Sequence, residues 1–166
     1  MIASVMALGI LWAAATAEPV ANKDSMWNVM DFGAVAGGEK DCTGAFQQAM
    51  DAANAANGGT VMVPTGRFRL DGTLTLPANV TLKGTFAYSP AHAGIRDNNG
   101  EKPVYGSVLE PYAEAGKEEG TPFITLQSNA TLQGFTIHYP AQDPKAAAPT
   151  PYPYTVCMRG NNPAVI

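Results

Sequence analysis

Leu74-Thr75-Leu76-Pro77-Ala78-Asn79-Val80-Thr81-Leu82-Lys83-Gly84 returns 50 residues later as Ile124-Thr125-Leu126-Gln127-Ser128-Asn129-Ala130-Thr131-Leu132-Gln133-Gly134. The alignment has no gap and carries on to Pro90 and Pro140. In each copy apolar residues alternate with Thr, Lys or Gln, the period-two pattern of a strand with one buried face. Asn79 and Asn129, and again Gly84 and Gly134, stand at the breaks between strands, where such residues turn the chain. Chance similarity between two Thr/Leu-rich strand pairs would not match the turn residues as well. A short-strand unit recurring at a fixed offset predicts a solenoid, in which each turn of chain buries its apolar face on its neighbours. Fifty residues exceed one bare turn. The spacing therefore predicts two turns, or one turn carrying the irregular segment Ala87–Gly106, which holds Pro90, Asn98-Asn99-Gly100 and Pro103.

Upstream of the repeat the same short strands are punctuated by Gly and Pro. Thr60–Val63 stops at Pro64-Thr65-Gly66, and Arg67–Leu70 stops at Asp71-Gly72. Runs this close could pair as hairpins, but the two-residue Asn-Gly loop that favours them is missing. One segment breaks the pattern: Cys42, Ala45, Phe46, Ala49, Met50, Ala53 and Ala56 recur at three- and four-residue intervals. That spacing predicts a helix over Thr43–Asn57, capped by Asp41 or Thr43 and ended by Asn57-Gly58-Gly59. Trp27–Val35 reads as a further strand running into a glycine turn, and Ser107–Glu110 as another strand before the acidic loop Tyr112–Gly120.

The 166 residues are 46% hydrophobic and only 14% charged, with 17 Gly and 13 Pro, which excludes overall disorder. Ten Lys+Arg against 14 Asp+Glu give a net charge of −4, so no long-range field gathers a polyanion and no nucleic-acid partner is expected. Residues 1–17 are uncharged and mostly apolar, and they end in Ala15-Thr16-Ala17 before Glu18-Pro19. This reads as a secretory signal, although it lacks the usual Lys or Arg at its start. As a membrane anchor the apolar stretch falls short of the roughly 20 residues a spanning helix needs. The expectation is a secreted or periplasmic chain with no membrane span after signal removal, a polar leader over 18–26, and one domain from 27 to 166. Cys42 and Cys157 could then form a disulfide or stay as buried thiols. Neither has a second ligand at metal-binding spacing, so no metal site is expected.

Asp31-Phe32-Gly33-Ala34-Val35, Asp41-Cys42-Thr43-Gly44-Ala45-Phe46-Gln47 and Gly58–Phe68 together resemble the entry of pectate-lyase-superfamily domains. These right-handed parallel β-helices are shared with rhamnogalacturonases, epimerases, family 28-type glycoside hydrolases and exo-glucanases. Phe135–Pro140 and Pro151–Thr155 resemble a bacterial subset related to such hydrolases. The resemblance implies an all-β right-handed parallel β-helix entered by one capping α-helix, which covers the otherwise open first turn. It also implies structural rather than catalytic roles for Asp31 and Asp41. Cys42 departs from it, standing where a second Asp is common. The chain stops in the opening residues of another strand with no closing cap, so the expectation is the N-terminal part of a longer protein or a truncated product.

Sugar-polymer chemistry of the hydrolytic kind needs paired carboxyls across the scissile bond. The repeat region presents Thr, Lys and Gln outward instead, and the family 28 signatures are absent, so the catalytic residues stay unassigned. Glu114, Glu118 and Glu119 read as a solvated loop rather than a metal cluster. The candidate substrate contacts are His138, Tyr139, Tyr152 and Tyr154, set among prolines, because aromatic faces with polar tips suit sugar rings. The competing reading is a Pro-rich loop packed down by its tyrosines. His138 alternates with Ile137 and should point outward, and His92 should lie in solvent. No cofactor is expected; the expected partner is a polysaccharide, with self-association through an open last turn. Two functions remain: an exported hydrolase or lyase acting on pectin-like or other acidic, plant or algal glycans, whose catalytic turns lie beyond residue 166, or a non-catalytic module for glycan binding or surface attachment. The secretory signal favours the first.

Overall fold

The computed structural model describes residues 25–86, 106–143 and 145–158. Residues 1–24, which hold the expected secretory signal, His92 with the rest of 87–105, and residues 159–166 lie outside the described residues. The described elements are β1 (Met26–Asn28), a 3₁₀ turn (Val29–Phe32), α1 (Thr43–Ala55), β2 (Gly59–Met62), β3 (Gly66–Leu70) and β4 (Leu74–Leu76). There follow β5 (Val80–Lys83), β6 (Ser107–Pro111), β7 (Ile124–Leu126), β8 (Thr131–Gln133), β9 (Phe135–Ile137) and β10 (Val156–Met158).

The strands form three sheets, ordered β1-β2-β5-β8, β3-β6-β9 and β4-β7-β10, and every pairing is parallel. Among the described residues no two strands pair as a hairpin. From β2 onward each passage of the chain leaves one strand in each sheet before it begins the next. Thr75 pairs with Thr125 and Thr81 with Thr131, so the 50-residue repeat is one turn carrying an insertion, not two. Inward residues stack in register: Val61, Leu82 and Leu132 in the first sheet, Phe68, Leu109 and Ile137 in the second, Leu74, Ile124 and Val156 in the third. All but Ile137, Val156 and Leu132 are at most 1% exposed, and Leu132 is 5% exposed. The core is a ladder of aliphatic side chains, each touching its counterpart one turn away.

The turns explain the repeated Asn and Gly. Asn79 and Asn129 take φ of 61° and 59°, the left-handed region that Asn tolerates, and the Asn129 amide donates to Asn79 Oδ1 at 2.8 Å. Gly84 and Gly134 pass so close that a Cβ on Gly84 would run into the Gly134 carbonyl.

α1 is shorter than its pattern predicts, closing at Ala56 with Asn57 at φ 64° and Gly58 at φ 118°. Phe46, Ala49, Met50 and Ala53 form its buried stripe, and the Phe46 ring meets Phe68 edge-on at 5.5 Å. Cys42 at the N-cap makes no side-chain cap bond; Asp41, one residue earlier, binds the Thr43 amide instead. The predicted strand over Trp27–Val35 is corrected to the three residues of β1. Asn28 Oδ1 then accepts from Met30 N at 3.0 Å, turning the chain into the 3₁₀ segment, which ends at Gly33 with φ 92°. Among the described residues no helix is long and apolar enough to cross a membrane.

Candidate functional site

Alternation along β6 sends Leu109 into the core and Val108 and Glu110 to the outer face of the β3-β6-β9 sheet. Glu110 is nevertheless fully buried. Its carboxylate takes both Nε and Nη2 of Arg67, at 2.8 and 3.2 Å, and the Nδ1 of His138 lies 3.6 Å from Oε1. Register puts His138 there, since its amide donates to Leu109 O at 2.9 Å and continues the β9 ladder on that face. Gly38 roofs the pair: a Cβ there would sit 2.5 Å from Glu110 Oε2 and 2.8 Å from Arg67 Nη2, and its φ is +79°. The bidentate bond to Glu110 raises the Arg67 pKa still further, so the guanidinium is permanently charged. Next along β3, Arg69 clamps Asp71 at 2.7 and 3.1 Å and lies over the Tyr112 ring at 4.5 Å.

Beside this row the Tyr139 and Tyr152 rings meet at 4.4 Å with a 55° tilt, and Tyr139 Oη is 2.7 Å from Thr155 Oγ1. That bond ties the start of the Pro-rich segment to its end, and Gln142 ties it again through Thr150, donating to its carbonyl and accepting from its amide. Burial, and then Tyr139 and Tyr112, push the Tyr152 pKa above its ordinary value, against a smaller opposing pull from the Ala141 backbone. Tyr152 therefore stays a neutral phenol. Tyr154 stands 80% exposed at a cleft of about 820 Å³, between the acidic loop and the segment leading into β10.

The four sequence-predicted contacts thus divide. His138 faces outward as expected, but against Glu110 rather than alone. Tyr139 and Tyr152 pack against each other within the Pro-rich segment, while Tyr154 offers its ring to solvent. Glu110 and Arg67 escaped sequence reading. Glu110 had been read only as the last residue of a strand, and the available signal was a Glu in register, one turn on, with the Arg-x-Arg of β3. Cys42 and Cys157 are both free thiols. Cys42 Sγ accepts from Val35 N at 3.3 Å, within reach also of the Val35 and Lys40 carbonyls, and pins the loop that carries Gly38. Among the described residues no group of three or more His, Cys, Asp or Glu could hold a metal ion.

Successive turns stacked in parallel sheets, closed at one end by a helix and bearing a charged and aromatic strip outside, define a repeat-built, predominantly strand protein. The chain belongs to the family described as rhamnogalacturonase A/epimerase, pectate lyase-like, which matches residues 26–156. It is 37% identical over 131 residues to mannuronan C5-epimerase AlgE3 of Azotobacter vinelandii, covering 70% of this chain and 7% of that protein. Alginate lyase 7 of the same organism is 45% identical over 65 residues, 35% of this chain and 8% of its own length. The chain therefore spans less than a tenth of these relatives. Among solved structures, the A-module of Azotobacter vinelandii mannuronan C5-epimerase AlgE4 superposes with TM-score 0.48 at 22% identity, over 84% of this chain and 33% of that one.

Proposed function

We propose that the chain forms the opening turns of a right-handed parallel β-helix in an exported enzyme that modifies an acidic polysaccharide. The observation that carries this reading is the 37% identity, over 131 residues, to a mannuronan C5-epimerase within a family that also holds rhamnogalacturonase A. The likeness to an alginate lyase supports the same substrate class. Within this reading the leader over 1–17 is a secretory signal, residues 18–26 are a polar leader, and 27–166 are the first part of the domain. The role of this part is to cap the solenoid and to present its outer strip to the glycan. Arg67 and His138, flanking Glu110, are the groups there that suit a sugar carboxylate, since both can donate hydrogen bonds to it. Inverting C5 of a uronate breaks the C5–H bond and re-forms it from the opposite face, which needs an acid and a base on two sides of the ring. The catalytic pair is assigned to turns beyond residue 166.

Affinity electrophoresis of the 166-residue chain tests this. Migration should be retarded in gels holding polymannuronate and not in gels holding neutral dextran, and the retardation should weaken with salt. Equal migration in both gels would overturn the reading. Incubated alone with polymannuronate or polygalacturonate, the chain should yield neither unsaturated products absorbing in the ultraviolet nor new anomeric signals.

A further inference from the structure

The cleft at Tyr154 differs in charge from the Arg67–Glu110–His138 strip. Its walls include Tyr152, Pro153, Tyr154 and Pro122 on the apolar side and Glu118 and Glu119 on the polar side, and among the described residues no Lys, Arg or His lines it. Its shape is held by backbone bonds rather than by side chains alone. Phe123 N and Ile124 N donate to the Tyr154 and Thr155 carbonyls at 3.1 and 3.0 Å, and Gly116 N donates to Pro151 O at 2.9 Å. Gly120 is packed so closely that a Cβ would lie 2.7 Å from Glu114 Oε2 and 3.0 Å from Pro153 Cγ. The acidic loop is therefore seated on the Pro-rich segment, and Glu114 is occupied by Lys117 at 2.9 Å. A rigid aromatic ring 80% in water beside two carboxylates is a pre-formed surface whose ligand orders little on binding.

We propose that this cleft is a second saccharide site, selective for a sugar unit that carries no carboxylate. The C–H face of a pyranose covers the Tyr154 ring, and its hydroxyls donate to Glu118 and Glu119, which as carboxylates only accept. A uronate in the same place brings a third carboxylate against two, with no cation among the described lining residues to offset it, and like charges at close range repel. The inference rests on the glycan-handling reading above but assigns a different unit to a different surface.

The experiment uses the full chain with two probes of matched length, a neutral mannose tetramer and a mannuronate tetramer, followed by amide shifts and titration calorimetry. The neutral tetramer should shift the Gly120 and Thr155 amides. Tyr154→Ala should weaken its binding by about tenfold, as loss of a stacking aromatic does. The doubly substituted Glu118→Gln, Glu119→Gln chain should raise the affinity for the mannuronate tetramer at these amides by roughly fivefold or more at low salt, by removing the like charges. Both positions are exposed, and unchanged circular dichroism verifies the fold. Shifts at Gly120 and Thr155 by mannuronate as strong as those by mannose, or undiminished mannose binding in Tyr154→Ala, overturn the proposal. Mannuronate binding elsewhere without any mannose binding overturns it while sparing the function proposed above. Binding of neither tetramer overturns both.

Discussion

A single oxygen of Asp41 accepts three hydrogen bonds, from Thr43 N at 2.9 Å, Thr43 Oγ1 at 2.6 Å and Asp71 N at 3.0 Å. The helix start and the first turn of the solenoid are joined at that atom. Partial burial alone would raise the Asp41 pKa, but the hydrogen bonds from Thr43 and Asp71, with Arg69 nearby, hold it below the ordinary value of 3.8. A carboxylate with a depressed folded pKa stabilises fully above its unfolded value, and that contribution is lost as pH falls through the folded one. Asp41→Ala should cost about 1 kcal/mol at pH 7, as loss of a helix cap does, with the deficit shrinking below pH ~3.8. Urea unfolding of both proteins at several pH values measures it, and a deficit independent of pH would remove the carboxylate from the account. The capping role was legible in the sequence as a choice between Asp41 and Thr43. The link to Asp71 was not, because it joins residues 30 apart.

The elements of the first turn share one problem: each starts a parallel sheet and would leave an unpaired edge. Three devices close those edges. β1 lies along β2, the Gly37–Cys42 stretch donates its amides to the Arg67 and Arg69 carbonyls, and the Gln47 amide of α1 meets both backbone groups of Thr75. Gln47 acts as a one-residue strand, accepting from Thr75 N at 3.1 Å and donating to Thr75 O at 3.0 Å. Gln47→Ala should destabilise by about 1 kcal/mol, the net worth of a hydrogen bond or two, and should speed exchange of the Thr75 amide. Hydrogen exchange resolves the two effects, and an unchanged Thr75 rate would refute the plug. The helix itself was plain from its three-four spacing. β10 was missed because it follows the Pro-rich run and lies outside the repeat that marked the equally short β4, β7 and β8.

At the scale of the molecule the two ends of the stack are unlike. The helix end is sealed, whereas β8, β9 and β10 are the last strands of their sheets among the described residues. Open parallel edges and the half-buried Ile137 and Val156 favour addition of further strands. The isolated chain should therefore self-associate as concentration rises, and light scattering should record a rising mean mass. A constant monomer mass across the range would show that these edges are shielded.

The two-residue period and the 50-residue repeat pointed to stacked short strands, and the three-four spacing to one helix, because those features depend on neighbours in sequence. They left open whether a repeat was one turn or two, since an insertion and an extra turn add residues alike; the Thr75–Thr125 pairing decided it. The outer strip lay beyond sequence reading for a related reason. Arg67, Glu110 and His138 stand 43 and 28 residues apart, and only the stacking of β3, β6 and β9 brings them together. Burial of Glu110 is likewise a tertiary fact: the backbone of Gly38, from a loop that precedes the helix, packs over β6, with α1 and the four strands β2 to β5 between them in sequence. Local order follows from short-range periodicity, whereas a site built across turns exists only once the turns are stacked.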